Sequence, residues 1–161
     1  MSDLGSTKSR TSYRHLDILV VESDPGEFYL TEMAFRKAGF KSDLHCVKDG
    51  EDALMYVRRE GKYTEAPLPD IIFLDLTLPK IDGLTVLKEI KQTPALLHIP
   101  IVVSSSTENP ADIRAVYALN GNCFIRKPSE LGEFLKFIET CYEFWGSVVT
   151  LSPKPAGSDF Q

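Results

Sequence analysis

Short runs of β-branched and other apolar residues alternate with longer amphipathic stretches along this chain, and this alternation constrains its fold most strongly. Five such pairs predict strands at 17–22, 43–47, 70–75, 99–104 and 122–126, each followed by a helix. The first, third and fourth runs are mainly apolar, as strands covered on both faces should be. The pattern is typical of βαβ units, so we predict an α/β fold built on a parallel sheet.

The predicted helices carry recognisable start and stop signals. Segment 24–27 (Asp-Pro-Gly-Glu) supplies a cap, a proline at the first helical position and an acid in the first turn. Segment 109–112 (Asn-Pro-Ala-Asp) repeats this arrangement before the fourth helix, and Ser129 is the expected cap of the last one. Three glycines are predicted to end helices: Gly39, Gly61 and Gly121.

Length, charge and cysteine content exclude several classes of protein. The 161 residues have room for one ordinary domain with short ends. A formal charge of −5 argues against general attraction to nucleic acid, and no apolar run is long enough to cross a membrane. The three cysteines show no pairing or zinc spacing, which predicts reduced thiols in a cytoplasmic protein.

Chemically active side chains follow four of the predicted strands. In an open parallel sheet, ligands bind outside the carboxyl ends of the strands, which is where Glu22, Asp75, Ser105 and Lys127 fall. Carboxylates at this edge favour a hard cation such as Mg²⁺. Beside such an ion, Asp75 has the chemistry to attack a phosphoryl group, while Lys127 and Ser105 contact the phosphate oxygens.

The strand-end motifs resemble the receiver domain of two-component response regulators over about residues 16–144. The matching segments are Val20-Val21-Glu22, Leu74-Asp75-Leu76-Thr77-Leu78-Pro79, Asp82-Gly83, Ser105 and Lys127-Pro128. The resemblance implies a flavodoxin-like, doubly wound (βα)5 sheet of strand order 2-1-3-4-5, in a single domain with a C-terminal extension. It divides the chain into a flexible tail (1–15), the receiver (16–144) and an extension (145–161).

The resemblance also implies a role for each matching residue. Asp75 would accept a phosphoryl group from the phosphohistidine of a sensor histidine kinase, and Lys127 would contact the phosphoryl oxygens. Thr77 would offer its backbone carbonyl to Mg²⁺, together with the carboxylates of Glu22 and Asp75. Ser105 and Phe124 would occupy the switch positions. Such a protein is a phosphoacceptor that catalyses at most its own phosphoryl transfer and dephosphorylation.

One position departs from the family pattern. Receivers of this kind usually carry two adjacent acids after the first strand, but here Glu22 is followed by Ser23. We therefore expect weakened Mg²⁺ binding, because the predicted pocket holds two carboxylates instead of three. Asp24 is an alternative source of charge, although its expected capping role competes with an inward orientation.

The last helix and the tail suggest a partner surface. Beside the stripe expected to cover the sheet, the last helix carries a second apolar stripe, and a β-forming segment follows it. The Phe144-Trp145 ending, the run from Tyr117 to Phe124 and the extension most resemble stand-alone regulators of phytochrome photoreceptor kinases. The resemblance implies a homodimer formed through the last helix and a C-terminal arm, as this subgroup tends to form. The predicted interface residues are Phe137, Cys141, Phe144, Trp145, Val148 and Val149.

Two other functions remain open from the sequence. Because Ser23 replaces an acid, the chain is alternatively a degenerate receiver that acts as a dimeric binding module without phosphorylation. A phosphatase of the haloacid-dehalogenase type would need a second aspartate two residues after the nucleophile, where Thr77 stands. The 17 residues after position 144 are too few for an output domain, so we expect the signal to leave through protein contacts.

Overall fold

A computed structural model describes residues 14–155, in which five parallel strands form one sheet. The strands are β1 (Leu16–Val21), β2 (Ser42–Val47), β3 (Ile71–Asp75), β4 (Ile101–Ser105) and β5 (Cys123–Arg126). Their order is β2-β1-β3-β4-β5, and every neighbouring pair is parallel. The predicted flavodoxin-like α/β architecture is confirmed, with each strand boundary within two residues of its predicted position.

Helices cover both faces of the sheet and enclose two apolar cores. The helices are α1 (Pro25–Ala38), α2 (Gly50–Arg58), α3 (Gly83–Lys91), α4 (Pro110–Ala118) and α5 (Leu131–Glu143). Side chains of α2, α3 and α4 pack on one face, against Leu19, Leu74 and Val103 among others. Side chains of α1 and α5 pack on the other, where Ile18 and Val102 are fully buried. Burial on both faces explains the near-continuous apolar runs of β1, β3 and β4.

The helix boundaries agree with the sequence signals in part. Asp24 caps α1 by accepting hydrogen bonds from Gly26 N (2.7 Å) and Glu27 N (3.1 Å). Asn109 caps α4 in the same way, and Gly39 ends α1 in the left-handed conformation that glycine favours.

Two of the three glycine predictions are wrong in detail. Arg59, at φ 57°, takes the left-handed position at the end of α2, so Gly61 lies beyond the helix. Asn120, at φ 64°, takes the corresponding conformation after α4. Gly121 is instead confined by its neighbours, since a Cβ there would lie 2.6 Å from Val116 Cγ1.

The last helix differs from its prediction at both ends. The cap residue is Glu130 instead of Ser129, and its side chain makes no capping hydrogen bond. The α-helix ends at Glu143, where the chain continues as a π-helical turn over Phe144–Val148. The following segment returns to its own domain, because Leu151 packs with the α1/α5 core.

The ends of the chain bear on two further expectations. Residues 1–13 of the predicted flexible tail and residues 156–161 of the extension lie outside the described residues. Between positions 14 and 155, no helix combines the length and apolar character that crossing a membrane requires. The three cysteines, Cys46, Cys123 and Cys141, are free thiols.

Candidate functional site

The register of the sheet brings the strand-end residues to one edge. Val21 pairs with Leu74, so the residues that follow β1 lie beside Asp75 at the end of β3. Asp75 in turn pairs with Ser104 on β4. The Lys127 amide donates to the Ser105 carbonyl (2.8 Å), which continues the β4–β5 ladder by one residue. The predicted convergence of these strand ends is therefore present in the structure.

Lys127 is the centre of the site. Its ammonium donates hydrogen bonds to Glu22 Oε2 (2.6 Å), Asp75 Oδ2 (2.7 Å) and Glu27 Oε2. The Lys127 side chain is 9% exposed, and the Glu22 and Asp75 side chains are 8% and 12% exposed. A buried ammonium needs such partners, because an isolated charge in this position would be strongly unfavourable.

Burial and the ion pairs shift the pKa values in the site. Burial raises the pKa of the Glu22 carboxyl to about 7, although the hydrogen bond from Lys127 favours its charged form. Burial lowers the pKa of Lys127, but hydrogen bonds to the three carboxylates outweigh it and raise that pKa above its usual value. Lys127 therefore stays a cation throughout the physiological pH range.

Backbone amides hold two of the carboxylates in place. Asp75 Oδ1 accepts a hydrogen bond from Thr77 N (2.8 Å), and Glu22 Oε1 accepts one from Asp24 N (3.0 Å). The Asp24 side chain serves as the cap of α1, so the alternative in which it turns inward toward the site is not seen. Ser23 is half-buried beside Glu22.

The two predicted switch residues make their hydrogen bonds outside this ion cluster. Ser105 is buried, and its hydroxyl accepts a hydrogen bond from Thr107 N (3.2 Å) within its own loop. Phe124 is half-buried against the α2/α3/α4 core, and its amide donates to the Tyr117 hydroxyl (3.2 Å). Each is thus held by neighbours other than Asp75.

The predicted interface residues divide into buried and exposed groups. Phe137 and Trp145 pack against the α1/α5 core, and Cys141 is buried. Val149 is half-buried, and its carbonyl accepts a hydrogen bond from the Arg14 side chain. Phe144 and Val148 point outward, with exposed fractions of 48% and 68%.

Glu27 belongs to the site, and we did not predict it from the sequence. The sequence indicates only that Glu27 lies in the first turn of α1, where a negative charge also interacts favourably with the helix dipole. The signal that identifies it is its proximity to the end of β1, because the first turn of the following helix lies at the same sheet edge. Glu27 is the most exposed of the three acids, at 35%.

The residues present fit a divalent cation. Glu22, Glu27 and Asp75 each offer a carboxylate oxygen, and these oxygens lie within 4.8 Å of one another. Oxygen ligands of this kind are those that Mg²⁺ and Mn²⁺ prefer. Three carboxylates and one ammonium leave a formal charge of −2, which favours a further cation.

The sheet order, the buried lysine and the carboxylates define the receiver class of signalling domain. The family model for the response regulator receiver domain matches residues 18–139, which is most of the chain. The chain therefore belongs to this family, whose domains generally act as phosphoacceptors, bind Mg²⁺ or Mn²⁺ and interact with sensor histidine kinases.

Two solved or curated response regulators, Rcp1 and RcpA, are similar to this chain over most of their length. The chain is 37% identical to response regulator Rcp1 of Synechocystis sp. over 134 residues, which covers 83% of this chain and 91% of Rcp1. The structure of phosphorylated RcpA, a cyanobacterial phytochrome response regulator, is 39% identical, with a TM-score of 0.84 over 87% of this chain and 100% of RcpA. Mn²⁺-bound Rcp1 gives 36% identity and a TM-score of 0.82, over 86% of this chain and 99% of Rcp1.

Proposed function

We propose that Asp75 accepts a phosphoryl group from the phosphohistidine of a sensor kinase of the phytochrome type. The observation that carries this proposal is the buried contact between the Lys127 ammonium and Asp75 Oδ2 (2.7 Å) at the carboxyl edge of the sheet. The similarity to RcpA supports the phytochrome assignment, because RcpA is a cyanobacterial phytochrome response regulator.

In the proposed reaction, an oxygen of Asp75 attacks phosphorus as the phosphorus–nitrogen bond of the phosphohistidine breaks. The kinase histidine leaves with the electron pair of that bond, as neutral imidazole when its other ring nitrogen is protonated. Lys127 remains charged, and its ammonium would donate a hydrogen bond to an oxygen of the transferred group in place of its present contact with Asp75 Oδ2. Ser105 would complete the contacts through a rearrangement of its loop.

Glu22, Asp75 and the backbone carbonyl of Thr77 are the proposed ligands of a Mg²⁺ ion. The ion supplies charge neutralisation for the phosphoryl oxygens when it is bound. Ser23 offers no charge to this site, so weakened Mg²⁺ binding relative to receivers with two adjacent acids stays a prediction. The carboxylate cluster and the Mn²⁺-bound form of Rcp1 support a divalent cation here.

Acetyl phosphate with Mg²⁺, followed by intact mass measurement, tests the phosphoacceptor. We expect an adduct of one phosphoryl group that is absent in Asp75→Asn and after chelation of Mg²⁺. Asp82→Asn is the matched control, because Asp82 is an exposed acid that caps α3 near the same edge. Absence of an adduct at every metal concentration would refute the proposal and favour the phosphorylation-independent binding module.

The kinase assignment has its own test. An autophosphorylated phytochrome-type kinase should transfer its phosphoryl group to this protein much faster than an unrelated sensor kinase does at equal concentration. Equal rates for the two kinases would remove the phytochrome assignment and leave the phosphoacceptor role intact.

The proposed output is a protein contact made by a homodimer. We assign the interface to the last helix and the segment after it, at Phe137, Cys141, Phe144, Trp145, Val148 and Val149. Exposure of Phe144 and Val148 in the described chain supports this surface, because both apolar side chains are available for burial in the centre of an interface.

A further inference from the structure

Glu27 occupies a position that neither the family motifs nor the strand ends assign to the site. Its carboxylate lies within 4.8 Å of a carboxylate oxygen of both Glu22 and Asp75. The position that supplies a second acid after the first strand in similar receivers is the neutral Ser23 in this chain. The site nevertheless contains three carboxylates, which is the number that the family pattern would give.

The start of α1 explains how Glu27 reaches the site. Asp24 caps the helix by accepting hydrogen bonds from Gly26 N and Glu27 N, so the helix begins directly above the end of β1. Its first turn therefore lies over the sheet edge, and Glu27 extends from that turn to the Lys127 ammonium. The Asp24 carboxylate is used in capping the helix. Glu27, and not Asp24, therefore brings a carboxylate to Lys127.

Lys127 shows that a cation is stable at this point. Its ammonium contacts all three carboxylates although its side chain is almost completely buried. One ammonium balances only one of three negative charges, and the greater exposure of Glu27 leaves that carboxylate accessible from solvent. The site therefore has unbalanced negative charge on its solvent-accessible side.

We propose that Glu27 supplies the third acidic charge of the divalent cation site, in place of the acid that Ser23 replaces. This inference rests on the proposed function, because it concerns the Mg²⁺ that phosphorylation of Asp75 would use. It differs from that function in assigning the missing charge to a helix residue outside the strand-end motifs.

Direct Mn²⁺ binding tests the inference without reference to activity. The electron paramagnetic resonance signal of free Mn²⁺ would be titrated with the wild type, Glu27→Gln, Ser23→Asp and the double variant. We expect Glu27→Gln to weaken Mn²⁺ binding by about 10-fold or more, as loss of a partner in a metal site commonly does. Ser23→Asp should restore the affinity in the Glu27→Gln background.

A matched control and a kinetic measurement separate this role from a purely structural one. Glu32→Gln removes an acid from the same helix that pairs with Arg36 on the surface, and it should leave Mn²⁺ binding unchanged. In the acetyl phosphate reaction, Glu27→Gln should raise the Mg²⁺ concentration needed for half-maximal rate while the rate at saturating Mg²⁺ changes little.

The outcomes distinguish this inference from the proposed function. Unchanged or tighter Mn²⁺ binding in Glu27→Gln, with normal phosphorylation of the wild type, would overturn the role of Glu27 alone. Failure of Ser23→Asp to restore Mn²⁺ binding in the Glu27→Gln background would also overturn the inference that Glu27 takes the place of an acid at position 23. A wild type that binds no Mn²⁺ and forms no adduct would remove the proposed function itself.

Discussion

At the scale of single residues, Gly83 shows how closely the site is packed. A Cβ at this position would lie 2.6 Å from the Asp75 carbonyl oxygen and 2.7 Å from Leu76 Cα. Both atoms belong to the backbone, which cannot move away as a flexible side chain does. The absence of a side chain at Gly83 therefore lets α3 begin directly against the backbone of the proposed phosphoacceptor.

We predict that Gly83→Ala lowers the free energy of unfolding by about 1–3 kcal/mol, the usual cost of overpacking. Urea denaturation followed by circular dichroism measures it. Gly132→Ala is the matched control, because its Cβ would meet only the flexible Glu130 side chain at 3.2 Å and alanine favours the helix. A Gly83 variant as stable as the wild type would contradict the close packing.

The site residues that were predictable from the sequence are those that end strands. Asp75 and Lys127 were found because the carboxyl ends of parallel strands meet at one edge, whatever the details of the helices. Glu27 was not predictable in this way, because its contact with Lys127 depends on where the axis of α1 lies above the sheet. The hydrogen bond between Ser105 and Thr107 was likewise hidden, since it depends on the loop conformation after β4.

At the scale of elements, the segment after α5 is held against the amino end of the sheet. Lys154 Nζ lies 2.9 Å from Asp17 Oδ2 and 3.6 Å from Asp70 Oδ2. Arg14 adds contacts to the carbonyls of Trp145 and Val149. β-forming composition alone did not predict this docking, because it arises from charges on β1 and at the start of β3.

We predict that Lys154→Met loosens this segment, lowering the free energy of unfolding by about 0.2–1 kcal/mol for such a partly exposed pair. Hydrogen exchange should accelerate in residues 149–155 and not in the strands. Lys136→Met, at an exposed lysine of α5, is the control and should leave the exchange of that segment unchanged. Equal exchange rates in the wild type and Lys154→Met would show that the ion pair does not hold the segment.

The same contact has a defined pH dependence. Burial raises the pKa of Asp17, but hydrogen bonds from Lys154 and His45 outweigh it and leave the pKa below its ordinary value of 3.8. A depressed carboxyl pKa stabilises the folded protein above the unfolded pKa, and this stabilisation is lost as the pH falls through the folded pKa. The stability difference between wild type and Lys154→Met should therefore be constant near neutral pH and shrink below about pH 4. Urea titrations at several pH values measure it.

At the scale of the whole molecule, the docked segment limits how two copies can associate. The backbone of this segment accepts a hydrogen bond from Arg14, and its Leu151 side chain packs against the core of the same chain. These groups are therefore not available for contacts with a second copy. Among the described residues after α5, the exposed large apolar side chains are those of Phe144 and Val148, and the predicted interface residues Trp145 and Val149 are half-buried beside them. A dimer through this region thus needs no exchange of segments between the two copies.

We predict that Phe144→Asp weakens the proposed homodimer at least 10-fold, because an aromatic side chain buried at an interface commonly contributes more than 1 kcal/mol and a charge buried there loses its hydration. Sedimentation velocity over a range of protein concentrations measures the dissociation constant. Leu97→Asp is the control, since Leu97 is an equally exposed apolar residue that follows α3 on the opposite face of the sheet. Equal weakening by both variants would indicate general association through apolar surface, and no weakening by Phe144→Asp would place the interface elsewhere.

Phosphorylated and unphosphorylated protein compared in the same experiment would show whether the charge added at Asp75 changes this contact.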